Sequence, residues 1–241
     1  MIIDSPGSCD DEVQYYIQLL KKHTNKSSGT LLHFGCGAGM HDYSFKKYFQ
    51  ITGVDLSKGM LELAKKLNPE IRYIHGDMRT IHLSQKFDVV IIPDSIGYMT
   101  TEDDLEKAIS TACSYLENEG VLLITAQTRK DFKENNFVYT GVKDGIHLTI
   151  FENNHIPAGS DSTYEAVLTY LIRQKGNLEI YNECHTIGLF SRNIWRSLFQ
   201  ELNLSVTEYK INDLYDPYIM NEGNYIQTIF ICKKHNKTNS L

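Results

Sequence analysis

The sequence predicts an α/β protein. A doubly wound, mostly parallel, seven-stranded sheet carries a small antiparallel β insert between strand five and the last helix. Three observations predict it. Between Leu31 and Thr125, short apolar runs alternate with amphipathic stretches at the spacing of β–α–β units. Two of those runs, "DVVII" and "VLLIT", are apolar without alternation, as strands buried on both faces are. After Phe137 the rhythm changes to β-branched and aromatic stretches separated by turn residues.

The parallel strands are expected at "TLLHFG" (30–35), "QITGVD" (50–55), "IRYIHGD" (71–77), "KFDVVIIPD" (86–94) and "GVLLITA" (120–126), each bounded by Gly, Asp or Pro. Helices are expected at the N-terminus and over 40–49, 57–67 and 102–117. In "DLSKGMLELAKKL", Ser57 reads as the N-cap, and Met60, Leu61, Ala64 and Leu67 recur at three-to-four spacing. The helix at 102–117 opens with Thr and acids, which suit the positive end of its dipole. The insert is expected as strands over 146–156, 162–174 and 178–190, with Lys175-Gly176-Asn177 turning the last pair. A helix over 191–203 and strands at 204–211 and 224–234 end the chain. The expected division is 1–136 (N-terminal helix and α/β core), 137–190 (insert) and 191–234 (last helix and two strands completing the core sheet).

The chain has 241 residues, 41% hydrophobic and 22% charged, enough to bury a full core. A net charge of −6 supplies no general attraction for nucleic acid or an anionic membrane. Five scattered cysteines suggest neither a disulfide framework nor a zinc site, and no metal is expected. "MIIDSPGSCDDE" lacks the pattern of a secretion signal, and no run reaches the ~20 apolar residues of a membrane span, so a cytoplasmic protein is expected.

The chemistry-bearing residues gather at the ends of successive strands. Gly35, Gly37 and Gly39 in "LLHFGCGAGMHD" follow the first strand as G-x-G-x-G. A dinucleotide fingerprint requires a third glycine where Met40 stands, so the loop suits a smaller anionic or zwitterionic group. Asp55 ends the second strand, where a carboxylate accepts from both hydroxyls of a ribose. Asp77 and Met78 end the third; an acid accepts from an exocyclic amine, and Met offers a soft surface to a purine face. Asp94, Ser95 and Tyr98 end the fourth. Open α/β sheets bind their ligands at these ends.

The ordered set resembles the class I S-adenosylmethionine-dependent methyltransferases over about residues 30–126. It comprises the glycine loop, Asp55, "GDMR", "FDVVIIPDSIGYM" and "LENEGVLLI", in which Glu119 replaces a family glycine. His33 and Phe34 stand where that family often has Asp and Leu or Val. The resemblance implies S-adenosylmethionine as cofactor and S-adenosylhomocysteine as product. Gly35, Gly37 and Gly39 would face the methionine moiety, Asp55 the ribose, and Asp77 and Met78 the adenine. Leu56, Met60 and Asp94 would add cofactor contacts, and Tyr16 would close over the sulfonium by cation–π attraction. "GCGAGMHD", "TGVDLSKGMLELAKKLNPEIRYIHGDMRTI", "FDVVIIPDSIGY" and "ECHTIGLFSRNIWRSLFQE" look most similar to a small-molecule branch that includes sugar-nucleotide amino N,N-dimethyltransferases. In that branch an antiparallel insert covers the substrate.

Methyl transfer from a sulfonium is an in-line displacement, in which alignment dominates and a base serves only an acceptor with a proton to lose. His185, on the insert, and Tyr98, after strand four, are the catalytic candidates; each also reads as an ordinary packed residue of its element. Asp94 alternatively holds an amine substrate or caps the following turn, and Trp195 and Phe199 read as core. The expected function is methyl transfer to an amine or hydroxyl of a small molecule, such as an amino sugar or other secondary metabolite. The insert's aromatics suit the surface of a homodimer as readily as a lid over the substrate. A non-catalytic S-adenosylmethionine-binding protein and a nucleic-acid methyltransferase are the alternatives. Asp55→Ala is expected to weaken S-adenosylmethionine binding about tenfold or more by calorimetry, because the diol loses its acceptors; unchanged affinity removes Asp55 from the site.

Overall fold

The structure is a computed structural model that describes residues 9–24, 29–220 and 223–234. Helix α1 (Asp10–His23) leads into the alternating core, which runs β1 (Gly29–Phe34), α2 (Met40–Phe45), β2 (Phe49–Asp55), α3 (Lys58–Leu67), β3 (Arg72–His75), β4 (Phe87–Pro93), α4 (Glu102–Ser114) and β5 (Leu116–Ala126). Four antiparallel strands follow: β6 (Asn136–Lys143), β7 (Ile146–His155), β8 (Thr163–Gln174) and β9 (Asn177–Gly188). The chain then returns through α5 (Arg192–Glu201), β10 (Leu204–Ile211) and β11 (Gln227–Lys234).

The core sheet has seven strands in the order β10-β11-β5-β4-β1-β2-β3, and β6-β7-β8-β9 form a separate sheet. Strands β1 to β5 pair in parallel, while β11 lies antiparallel between β5 and β10. Strand order reverses between β1 and β4, so the loops leaving these two strands part and open a crevice.

Burial on both faces explains the unbroken apolar strands. Leu32, Phe34, Val90, Ile92 and Ile124 pack with α4 and α5 through Leu105, Ile109 and Trp195. Their neighbours Leu31, Val89, Ile91 and Leu123 face the opposite way, onto Leu19 of α1, Phe45 of α2 and Leu61 of α3. The caps are local: the hydroxyls of Ser57, Thr101 and Ser191 accept from the backbone N–H of Met60, Asp104 and Ile194. Trp195 stacks on Phe230 at 4.9 Å between ring centroids and lies beside Phe199, as core.

The structure corrects two boundaries and one strand count. The helix expected over 40–49 ends at Phe45, because the chain turns at Lys46–Tyr48 and Phe49 already pairs with Gly29 of β1. Strand β5 begins at Leu116, which pairs with Phe87; Glu119, at φ +65°, takes up the register shift where the family resemblance has glycine. The insert sheet has four strands instead of three. Its unforeseen hairpin turns on Asp144-Gly145, both at positive φ, as the foreseen one turns on Lys175-Gly176.

The insert is clamped to the core where β9 ends. A side chain on Gly188 would collide with the Met99 carbonyl, so only glycine lets the second sheet approach this closely. Among the described residues, no helix is long and apolar enough to cross a membrane.

Candidate active site

The crevice between the ends of β1, β2, β3 and β4 has two connected lobes. One, of ≈ 630 Å³, is lined by Asp55, Leu56, Met60, Asp77, Met78, Arg79 and Met99. The other, of ≈ 570 Å³, runs from His33, Met40 and His41 past Asp94 to Tyr164, Ile187 and Trp195. Gly35, Gly37, Met60, Ser95 and Tyr98 line both and form the passage.

The glycine turn shapes the passage. Gly35, Gly37 and Gly39 sit at φ +67°, +52° and +75°, a region that L side chains rarely adopt. The N–H groups of Gly35 and Cys36 donate to the Val54 carbonyl at 2.8 and 3.1 Å, tying the turn to β2. A Cβ on Gly35 would collide with the Ser95 side chain, whose hydroxyl donates to the Phe34 carbonyl at 2.9 Å.

In the first lobe, the Asp55 carboxylate accepts from Gly37 N–H through Oδ2 and from Ser57 N–H through Oδ1, both at 2.8 Å. Its side chain is thereby fixed at the rim, with lone pairs remaining on each oxygen. Asp77 is gripped by the Arg79 guanidinium, Nε at 3.0 Å and one terminal nitrogen at 2.6 Å, while the other terminal nitrogen reaches Asp104 at 2.8 Å. These hydrogen bonds hold Asp77 below the usual carboxylate range. Leu56 (63% exposed), Met60 and Tyr98 present large apolar surfaces at this rim.

The second lobe is built from polar contacts distant in sequence. Asp94 follows β4 at φ +55°, and its Oδ1 accepts from the amide of Gln227 and from Thr125 Oγ1. It opens to the lobe but is ringed by protein on its other sides. That desolvation, with the nearby charge of Glu12, pushes its carboxyl up to about 7. At the other wall, His41 Nε2 lies 2.9 Å from Glu12 Oε2. Glu12 also accepts from the hydroxyls of Tyr16 and Tyr215. Burial works against the charged form of each group. The bond between them prevails, raising the His41 pKa and lowering that of Glu12. Cys9 completes a cluster with Glu12 and His41 whose ligand-type atoms lie within 4.8 Å of one another, although both Glu12 oxygens already accept hydrogen bonds.

His33 is 1% exposed, and its Nδ1 lies 2.6 Å from Oδ1 of the buried Asp42. Asp42 Oδ2 accepts from the Tyr73 hydroxyl at 2.9 Å, and that hydroxyl accepts in turn from Asn68 Nδ2. Three cavity-lining residues carry buried polar atoms without a partner among the described residues: His33 Nε2, Gln127 Oε1 and Trp195 Nε1.

The crevice gathers Gly35, Gly37, Asp55, Leu56, Met60, Asp77, Met78, Asp94 and Tyr98; Gly39 lies just behind it as the N-cap of α2. Tyr16 was expected over the sulfonium and stands elsewhere. Its ring is fully buried between Phe45 and His41, because the hydroxyl of this α1 residue is drawn to Glu12 one turn earlier. His185 stands outside both lobes, with its ring edge-on to Tyr98 at 6.0 Å and Nε2 3.3 Å from Glu183. Sequence reading missed Glu12, Gln127 and Gln227. Of these only Gln227 left a signal, as a polar residue opening the apolar run "QTIFIC".

Residues 31–120 match the family described as methyltransferase domain. The chain is similar to the dTDP-3-amino-3,6-dideoxy-alpha-D-glucopyranose N,N-dimethyltransferase of Streptomyces fradiae, at 26% identity over 78% of this chain and 74% of that one. It is also similar to the dTDP-3-amino-3,4,6-trideoxy-alpha-D-glucopyranose N,N-dimethyltransferase of Streptomyces venezuelae, at 29% identity over 78% and 80%. Its fold matches Streptomyces venezuelae DesVI with a TM-score of 0.79, at 22% identity over 94% and 92% of the two chains. CalS10 bound to S-adenosylmethionine, an amino pentose methyltransferase from Micromonospora echinaspora, matches with a TM-score of 0.77, at 18% identity over 95% and 92%. Residues 31–120 thus carry a methyltransferase domain, and the fold of the chain is that of the class I methyltransferases. Gly35→Ala is expected to weaken S-adenosylhomocysteine binding about tenfold or more in calorimetry, since both the left-handed backbone and the packing on Ser95 forbid a side chain; binding equal to that of the parent protein would contradict the reading of the turn.

Proposed function

We propose that this methyltransferase methylates the amine of a small molecule of the amino-sugar class, bound in the lobe between Asp94 and the insert sheet. The observation that carries the reading is Asp94, a carboxyl that opens to this lobe while its surroundings desolvate it. An ionised Asp94 there attracts an ammonium and accepts its hydrogen bond, which orients the nitrogen toward the passage. The names of the Streptomyces relatives support an amino sugar as the acceptor.

The residues fit the cofactor in kind. A turn without side chains suits the close approach of the methionine part, Asp55 has the acceptors for a ribose diol, and Leu56, Met60 and Met78 offer apolar cover for adenine. The cofactor supplies an electrophilic methyl group, leaving alignment and desolvation to the protein. Tyr98 stands at the passage, where its ring attracts the sulfonium, and His185 steadies Tyr98 from outside. An amine fits better than a hydroxyl, which needs a strong base. His41 is committed to Glu12, and a carboxyl titrating near 7 suits the proton of an ammonium. In this reading residues 1–136 hold the cofactor, 137–190 cover the acceptor and 191–234 complete the sheet.

The test is transfer of a labelled methyl group to a panel of amino-sugar nucleotides and their hydroxyl counterparts. Label on nitrogen with matching S-adenosylhomocysteine is expected; label confined to oxygen, or none, would overturn the proposal. Asp94 takes up a proton as the pH falls through about 7, so kcat/KM for the amine is expected to fall below that pH. Asp94→Asn is expected to raise KM for the amine about tenfold, remove this limb and leave S-adenosylhomocysteine affinity unchanged. An unaltered pH profile would exclude Asp94 from the acceptor site.

A further inference from the structure

We propose that the acceptor carries a second ammonium group and that Glu152, on the insert sheet bordering the second lobe, binds it. The proposal rests on the reading of that lobe above. The strand register sets Glu152 opposite Leu168, and Leu168 opposite Glu183. Alternate residues of a strand share a face, so all three lie on the face that carries Tyr164 and Ile187, which line the lobe. Apart from Lys143 at the far hairpin, no lysine or arginine of the insert strands stands on that face. Glu152 is half-buried, and no cation pairs with it among the described residues.

The groups that hold Glu152 show what its corner lacks. The Tyr139 hydroxyl donates to Oε2 at 3.2 Å and Asn154 Nδ2 to Oε1 at 2.8 Å, which fixes the carboxylate with lone pairs to spare. Asn154 is 2% exposed; with its amide nitrogen turned to Glu152, its Oδ1 is left without a partner among the described residues. The corner thus presents a charge and a buried oxygen that both only accept. A hydroxyl brings one donor and no charge, whereas an ammonium brings three donors and the missing positive charge. Aromatic rings stand around the place. Tyr139 stacks on Phe137 at 6.1 Å and lies 5.1 Å from Tyr218, and Tyr225 is edge-on to Phe137 at 5.4 Å. Such rings attract a cation to their faces. Burial raises the phenols of Tyr164 and Tyr225 above their usual range, and the charges of both Glu152 and Asp94 add to the rise. The two carboxylates therefore act on the same two lobe-lining tyrosines, Asp94 from the core and Glu152 from the insert, and one acceptor meets them with an amine at each.

Methyl transfer by the full chain to two matched acceptors tests this: a diamino sugar, and the same sugar with a hydroxyl in place of the amine that stays unmethylated. The diamine is expected to show a kcat/KM about tenfold or more above its counterpart. Glu152→Gln keeps an acceptor oxygen and loses the charge. It is expected to remove this advantage through KM, with S-adenosylhomocysteine affinity as in the parent protein. Glu183→Gln, which neutralises the neighbouring acid of the same face, is expected to keep the advantage. Equal kcat/KM for the two acceptors in the parent protein would overturn the proposal and leave the amine reading standing. So would an equal loss on both acceptors in Glu152→Gln, which would make Glu152 structural, or an advantage that survives this variant or falls as far in Glu183→Gln. If neither acceptor is methylated on nitrogen, the reading of the lobe itself falls and takes the proposal with it.

Discussion

The Gly37 N–H donates to a carboxylate oxygen of Asp55 at 2.8 Å, and the whole crevice is arranged around that bond. It joins the turn after β1 to the end of β2, beside the two N–H groups that already reach the Val54 carbonyl. The chain must therefore reverse within five residues, and it does so through three left-handed glycines. The reversal places α2 directly behind the turn, so that Met40, His41 and Asp42 follow within one helical turn of each other. One bond thus sets the Asp55 side chain for the first lobe and the histidine–carboxylate pairs for the second.

Those pairs also join the N-terminal helix to the site. Glu12 of α1 meets His41 of α2, Asp42 meets His33 of β1, and Asp94 at the end of β4 meets Gln227 of β11. The His33–Asp42 pair is fully buried, and removing one partner of a buried ion pair costs about 3–5 kcal/mol because the other is stranded. At Asp94, surrounding protein and the charge of Glu12 together hold the carboxyl at about 7 although it opens to the lobe.

Features governed by neighbours in the chain were legible in the sequence. Ser57 caps its helix three residues from Met60, the apolar runs of β4 and β5 betray burial on both faces, and the order of Gly35, Asp55 and Asp77 marks successive strand ends. What stayed hidden depends on contacts across the fold. Glu12 and His41 are 29 residues apart, and Asp94 and Gln227 are 133 apart, so no spacing rule links them. Tyr16 misled because an aromatic near the N-terminus carries no mark of which face it presents. His33 was legible as a departure from the family pattern, while its pairing with Asp42 was not, because a strand residue and a helix residue meet there only after the turn has closed. The hairpin after β6 went unforeseen although its turn pair, Asp144-Gly145, is of the type that favours positive φ.

The central claim is that the ends of β1, β2 and β4 receive S-adenosylmethionine and leave the second lobe for an acceptor. A crystal structure of the full chain with S-adenosylhomocysteine tests it most directly. The account predicts the ribose hydroxyls on Asp55, the purine beside Met78, the amino acid group beside His33 and His41, and the sulfur at the passage facing Asp94. A nucleoside bound elsewhere on the chain, or seated with its sulfur turned away from the second lobe, would contradict it.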